Sequence, residues 1–453
     1  MGIRAAAAVA LGRAARWGGE TFMHRSAGNI PGVMALKVDP TVLVDLAKKV
    51  NPVAVISGTN GKTTTTNLVA DCLQTAGVPL YCNREGNNLQ SGIVTSLMLA
   101  PDTSKVVDAA SAAHAPVGCF ECDEMYTKYV LPRLRPHYFM LLNLFRDQLD
   151  RFGEIDRIQA TIAEALAKTP ETTFVFNGDD PLCAAIADRI PNKSLAFGIA
   201  SDMGLSADRI SDSRFCQKCG GALEYDYVHY GQLGAYRCPD CGWARPELAF
   251  AATNVRLEED GFVFDIDGRS VHTGHTGAYM VYNVLAAYAI SKLSGIVSFE
   301  NYQAAVREYH PTNGRLQTFD LGERKVMTNL AKNPTGFNQN IRIVLNERGR
   351  VLALFVNDND ADGHDVSWFW DIDFERWSQI EGLRAFVGGT RANDMQVRLK
   401  YAGIQAEIVE NVADVLAATS ANDGKVYIIA NYTALPAVRR ELEGLEAAAK
   451  GEE

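Results

Sequence analysis

Gly58, Thr59, Asn60, Gly61, Lys62, Thr63 and Thr64 stand between a short apolar run and a stretch of helical periodicity. A turn of that make-up exposes backbone N–H groups at the positive end of a helix, where they cradle phosphates. Glycine admits close approach, Lys62 neutralises phosphate charge and the Thr63 hydroxyl ligates Mg2+. Ile56 replaces the first glycine of the strict phosphate-loop pattern. A tight turn alone accounts for two glycines but not for Gly-Lys-Thr-Thr at a helix start, so nucleotide binding is the expectation. Glu121 closes another apolar run, and a carboxylate at the C-terminal edge of a parallel sheet lies where ligands bind. Asp123 and Glu124 read equally as ligand neighbours or as solvated loop charges.

Two knuckles, Cys216-x2-Cys219 and Cys238-x2-Cys241, have the spacing that places four thiolates around Zn2+ in a closed, structural site. Cys72, Cys82, Cys119, Cys122 and Cys183 lie in apolar or mixed segments and read as buried thiols. The aromatics near the knuckles, Tyr225, Tyr227, Tyr230, Tyr236 and Trp243, read as ribbon core, not as a nucleic-acid stacking surface. Asp358, Asp360, Asp362, Asp365 and Asp371 crowd the end of the apolar run at 351–356. Such charge density is costly unless it meets a cation, a partner or water.

These residues need elements to hold them. The chain has 453 residues, 47% of them hydrophobic, which suits two or three globular domains. A net charge of −10 argues against nucleic-acid binding by the bulk surface. Apolar runs at 117–122, 137–144 and 172–177 alternate with helical sequence such as that at 155–168, which predicts a parallel sheet covered on both faces. Residues 214–246 form an insertion, and 262–273 resemble antiparallel strands. A second α/β series, with strands at 351–358, 384–389 and 425–431, begins near residue 321. No window is apolar enough for a membrane span. The start reads as a short amphipathic helix, not a signal peptide, packed on the first domain; its Arg4, Arg13, Arg16 and Arg25 make peripheral contact with an anionic membrane a second expectation.

The turn at 58–64 resembles the ATP loop of the Mur ligase and folylpolyglutamate synthetase superfamily, and other segments agree in order. Asn177 and Asp179, in Asn-Gly-Asp-Asp-Pro, are similar to a motif that helps hold the nucleotide. Asn283, after Tyr282, resembles the residue that reaches adenine, and Arg315, after Gly314, resembles the close of the central domain. The resemblance implies that Glu121 holds Mg2+. It also has departures. Asp147-Gln148-Leu149-Asp150 lacks a metal-ligand His, no lysine for carbamylation is evident at 157–166, and residues 329–336 differ from the loop of amino-acid-adding ligases.

Residues 361–375, with the knuckles and the Mur-like core, resemble the MurT family, the ligase subunits of lipid II isoglutaminyl synthase. That resemblance implies an α/β fold with three parts: an N-terminal segment 1–46, a Mur ligase-like ATP-binding domain 47–320 with the zinc ribbon inserted at 214–246, and a C-terminal domain 321–453 that meets the partner. It implies ATP, Mg2+ and Zn2+, a heterodimer with a GatD-like glutaminase, and a cytoplasmic place, at the inner membrane face where the lipid-linked substrate lies. The activity implied is amidation of the α-carboxylate of D-Glu in lipid II through an acyl phosphate, with Lys62 and Glu121 at the phosphoryl and Asp362 or Asp365 completing the partner's Cys-His triad. Two rivals stand beside it: a ligase that adds an amino acid, and an ATP-controlled zinc-ribbon binding module without turnover.

Overall fold

A computed structural model of the chain describes residues 1–23, 28–98, 116–147, 155–311 and 313–451. Six strands open the first sheet: β1 (Asn51–Ser57), β2 (Leu80–Cys82), β3 (Val117–Glu121), β4 (Tyr138–Leu141), β5 (Thr173–Asn177) and β6 (Ser194–Ile199). The hairpin β7 (Glu224–Tyr230) and β8 (Leu233–Arg237) stands apart from it. The meander β9 (Leu248–Glu258), β10 (Gly261–Ile266) and β11 (Arg269–Thr273) then completes the sheet in the order β11-β10-β9-β6-β5-β4-β1-β3-β2. Strands β1 to β6 and the junction with β9 are parallel. The β9–β10–β11 edge is antiparallel, as the sequence at 262–273 predicts, so the sheet is mixed. Only crossovers force parallel pairing; the tight turns at 259–260 and 267–268 return the chain directly.

Both faces of this sheet are covered, which explains why its central strands read as continuous apolar runs. In β1, Ala54 and Ile56 face the core beneath helices Lys62–Thr75 and Tyr279–Ser294. Val55 faces the opposite core with Phe120, Phe139 and Phe174. The N-terminal helix Ile3–Met23 joins that second core through Ala5, Ala8 and Val9. Its Arg4 and Arg13 donate to the carbonyls of Val38 and Met98, so two of the basic residues tie the helix to its neighbours. Arg25 lies outside the described residues. No helix among the described residues is long and apolar enough to cross a membrane.

The second sheet contains β12 (Gln317–Asp320), β13 (Lys325–Leu330), β14 (Val351–Phe355), β15 (Arg384–Gly388), β16 (Ala406–Ile408) and β17 (Val426–Ala430), ordered β12-β13-β17-β14-β15-β16. All neighbours pair in parallel except β12 with β13. Helices Pro334–Asn346 and Ala392–Tyr401 cover one face through Phe337, Ile341, Met395 and Leu399. Helix Leu435–Lys450 covers the other through Val438 and Leu442.

Candidate active site

Register brings the chemistry to one edge. Ile56 in β1 pairs with Glu121 in β3 and with Met140 in β4, so all three chains leave the sheet at the same level. The loop after β1 is stitched to the chain after β4 by Thr59 N–H donating to the Asn143 carbonyl at 3.0 Å. Asn60 N–H donates to Asn143 Oδ1 at 2.9 Å. Gly61 has φ +87°, and a Cβ there would meet Asn283 Oδ1 at 2.4 Å, so both the turn and the crowding require glycine. Helix Lys62–Thr75 begins at once, with its N-terminus pointing into a cleft of about 600 Å³.

Thr59, Asn60, Gly61, Lys62, Thr63, Thr64, Glu121, Asn283 and Arg315 all line that cleft. Gly58 lies behind it and accepts from Lys62 Nζ. Lys62 is 8% exposed and pairs with Glu124 Oε1 at 3.2 Å. Burial pulls its ammonium down, but Glu124, Glu121, Asp123 and Asp147 outweigh that and raise it, so the charge is kept. Thr63 Oγ1 donates to Glu121 Oε2 at 2.7 Å, and Asn88 Nδ2 donates to Glu121 Oε1 at 3.1 Å. Asn283 accepts from Thr65 Oγ1 at 3.3 Å. A hydroxyl and a carboxylate this close, beside a lysine at a helix N-terminus, form the oxygen set that Mg2+ bound to a nucleotide requires.

Asn177 and Asp179 lie elsewhere. Both are buried; Asn177 Nδ2 donates to the Leu142 carbonyl at 3.0 Å and its Oδ1 accepts from Asp179 N–H at 3.0 Å. Asp179 accepts from Tyr282 Oη at 2.7 Å, Ile199 N–H at 2.8 Å and Arg245 Nη1 at 3.1 Å. They fasten the frame behind the cleft instead of lining it. The sequence could not separate these roles, because a polar turn after a strand reads alike whether it faces ligand or its own backbone.

Other cleft residues were left open by the sequence or not marked by it. Glu124 is not a solvated charge but the partner of Lys62. Asp123 caps the following turn through Met125 N–H at 3.0 Å; burial, then the charge of Glu124, raises its carboxyl. Lys332 pairs with Asp147 across the two sheets, and Asn333 Nδ2 donates to Asn60 Oδ1 at 3.2 Å. Residues 148–150 of the Asp-Gln-Leu-Asp motif lie outside the described residues. Tyr230, which the sequence reads as ribbon core, lines the cleft instead, as do Gln339 and Asn340. Only the polar run at 338–340 within an amphipathic helix signalled the last two.

The acidic loop after β14 resolves into two kinds of aspartate. Asp362 is buried and accepts from Thr433 N–H at 2.9 Å and from Thr433 Oγ1. Asp365 is exposed; the backbone N–H of Ser367, at 2.8 Å, holds its carboxyl below the usual range. Ala361 and Tyr432 put this loop on the lining of the same cleft.

The four knuckle cysteines bring their sulfurs within 4.8 Å of one another. Cys216 and Cys241 sulfurs are 3.6 Å apart, and those of Cys219 and Cys238 are 3.5 Å apart. Tetrahedral Zn–S bonds of about 2.3 Å require sulfurs about 3.8 Å apart, so the set fits. Gly220 and Gly242, at φ +77° and +74°, make matching turns in the two knuckles. Although burial opposes it, the N–H groups of Lys218 and Cys219 lower the Cys216 thiol to about 7. The other five thiols are raised or pushed well up by burial, as inert core groups are.

A phosphate loop at the head of a largely parallel sheet, with a second α/β unit closing over it, defines the Mur ligase class of fold. Solved structures agree: a pseudomurein peptide ligase type C from Methanothermus fervidus superposes with TM-score 0.64 at 19% identity, over 88% of this chain and 80% of that one. MurF ligase from Thermotoga maritima in complex with ADP gives TM-score 0.62 at 14% identity, over 92% and 85%. The family model described as Mur ligase middle domain matches residues 56–291, and that described as MurT ligase C-terminal matches residues 330–435. The lipid II isoglutaminyl synthase (glutamine-hydrolyzing) subunit MurT of Staphylococcus aureus is 33% identical over 91% of this chain and 92% of its own. Its counterpart from Streptococcus pneumoniae is 34% identical over 90% of each. The chain belongs to the MurT family of Mur-type, ATP-dependent ligase subunits.

Proposed function

We propose that this chain is the synthase subunit of a lipid II isoglutaminyl synthase, and that it amidates the α-carboxylate of D-Glu in the stem peptide. A carboxylate oxygen attacks the γ-phosphorus of ATP, the bond to the bridging oxygen breaks, and ADP leaves. Ammonia then attacks the acyl carbon, phosphate departs with the C–O electron pair, and the nitrogen loses a proton. Lys62 and the N–H groups at 61–64 stabilise charge on the transferred phosphoryl. Thr63 and Glu121 are the residues that would hold Mg2+, which neutralises the phosphates when bound. Asn283 and Arg315 face the nucleoside.

Ammonia comes from glutamine through a GatD-like glutaminase bound at the C-terminal unit. Asp365 is the better candidate to orient that partner's catalytic His, since it is exposed and ionised; Asp362 spends its oxygens on Thr433 and holds the loop. The four cysteines hold Zn2+ as a structural staple. Exposed Ile3, Leu11 and Trp17 on the basic N-terminal helix suit contact with the cytoplasmic membrane face that carries the lipid-linked substrate.

The Lys62–Thr63–Glu121 constellation carries this reading. Co-expression with the glutaminase, followed by mass measurement of lipid II incubated with glutamine and ATP, tests it. The expected result is a product one mass unit lighter, formed only with ATP. Lys62→Ala lowers turnover by about 10²–10³-fold; undiminished turnover in that variant, or amidation without ATP consumption, overturns the reading.

A further inference from the structure

We infer that Asp147, gripped by Lys332 from the second unit, is the carboxylate that receives the incoming ammonia and takes its proton. The inference rests on the amidation reading above. The other carboxylates that line the cleft are engaged: Glu121 by Thr63 and Asn88, Glu124 by Lys62, and Asp123 by Met125 N–H. Asp147 lines the cleft too, and Lys332 takes its Oδ2. Its Oδ1 is buried with no hydrogen-bond partner, and among the described residues it is the one carboxylate oxygen in that condition. A buried acceptor left open is costly, and a ligand that donates a hydrogen removes that cost.

Charge and place select the donor. Lys332 already brings an ammonium to this carboxylate, so a cation at Oδ1 would meet a like charge close by, whereas neutral ammonia brings three N–H donors and no charge. Arg146, next in the chain, pairs with Asp371 at 3.7 Å, and Ala361 lines the cleft, so this segment is tied to the acidic loop that offers Asp365 to the glutaminase. On its other side, Asn143 bonds Thr59 and Asn60 of the phosphate loop at 3.0 and 2.9 Å. Asp147 thus stands between the side from which nitrogen arrives and the turn at which the acyl phosphate forms. The nitrogen lone pair closes the C–N bond while the carbonyl π pair moves onto oxygen, and Asp147 Oδ1 takes a proton from the nitrogen. The oxygen pair then re-forms the carbonyl, and phosphate leaves with the C–O pair. Loss of the proton keeps ammonia from being expelled again, and Asp147 passes that proton to water.

The glutaminase complex, given lipid II, ATP and either ammonium chloride or hydroxylamine in place of glutamine, tests the assignment. Hydroxylamine is the weaker base, so its adduct sheds a proton to water unaided. In Asp147→Asn we expect amide formation from ammonium chloride to fall about 10²–10³-fold, and hydroxamate formation to fall roughly tenfold less or better. Asp147→Glu, which keeps a carboxylate, should hold the ratio of amide to hydroxamate within about threefold of that of the unaltered complex. Equal losses with both nucleophiles in Asp147→Asn overturn the assignment, since a residue that holds the stem peptide or the fold would serve both alike. A ratio in Asp147→Glu that shifts as far as in Asp147→Asn overturns it too. An unaltered complex that forms neither product with ATP overturns the amidation reading itself.

Discussion

Asp362 and Asp365 stand three residues apart and differ in nearly every physical respect. Asp365→Asn keeps the loop and its Ser367 contact but removes the charge offered to a partner's imidazole, so glutaminase activity of the complex should fall roughly 10³–10⁴-fold with the melting temperature unchanged. Asp362→Ala strands the half-buried N–H and hydroxyl of Thr433 and should cost about 1–3 kcal/mol in chemical denaturation. Loss of glutaminase activity from Asp362→Ala alone, with Asp365→Asn active, would reverse the two roles. Asp179 makes a different prediction, in pH. Burial raises its carboxyl, against Arg245, from 3.8 to about 6. A folded carboxyl that binds its proton more readily than the unfolded one adds stability fully present below 3.8 and lost as pH rises through about 6. Unfolding free energies from urea titrations at pH 4 to 7 should therefore decline less steeply in Asp179→Asn, by on the order of 3 kcal/mol in total.

Among the elements, the helix pair at the N-terminus depends on one close approach. A Cβ on Gly32 would lie 1.8 Å from the Ser91 carbonyl, and Gly32 N–H donates to Thr95 Oγ1 at 2.9 Å. Gly32→Ala must push helix Ile30–Val38 off helix Gln90–Met98, which should cost about 1–3 kcal/mol by equilibrium unfolding. An unchanged unfolding free energy would mean that the helices slide without loss. Most elements were legible before the fold was seen: the strands at 117–121, 173–177, 351–355 and 426–430 fall inside apolar runs that the sequence marks. Strand β9 was not, because its outer half is largely exposed and pairs only with β10. Length misled at the first helix, which runs 21 residues. Its Ala-rich face has little apolar contrast, so periodicity marks its existence better than its extent.

At the scale of the whole molecule, the segment between β6 and the knuckles ties the two sheets together. Arg342 Nη2 lies 2.7 Å from Asp208 Oδ1, with side chains 8% and 2% exposed. Asp208 also accepts from Gly231 N–H of the β7–β8 turn at 2.8 Å. Arg146, next to Phe145 of the cleft, pairs with Asp212 at 2.6 Å and with Asp371 of the acidic loop at 3.7 Å. Arg342→Ala takes the nearer of two cations from the buried carboxylate of Asp208, so it should cost about 3–5 kcal/mol in unfolding measurements. Loss below about 1 kcal/mol would show that Arg376, 3.6 Å from Asp208, takes over the charge.

Residue types and spacing by themselves determined the phosphate loop, the four-cysteine site, the alternation of strands with helices and the acidic loop. Each of these is local, set by a few neighbouring residues and the backbone conformation they favour. Only the tertiary structure decided which polar residues face the cleft. Glu124 turns inward to Lys62, Asn177 and Asp179 turn away into the frame, and Lys332, Asn333 and Gln339 arrive from the second sheet, with Lys332 185 residues beyond Asp147 and Asn333 273 beyond Asn60. Burial and pairing are properties of register and packing between distant segments. A side chain's identity states what it can bond; the fold alone states what stands opposite it.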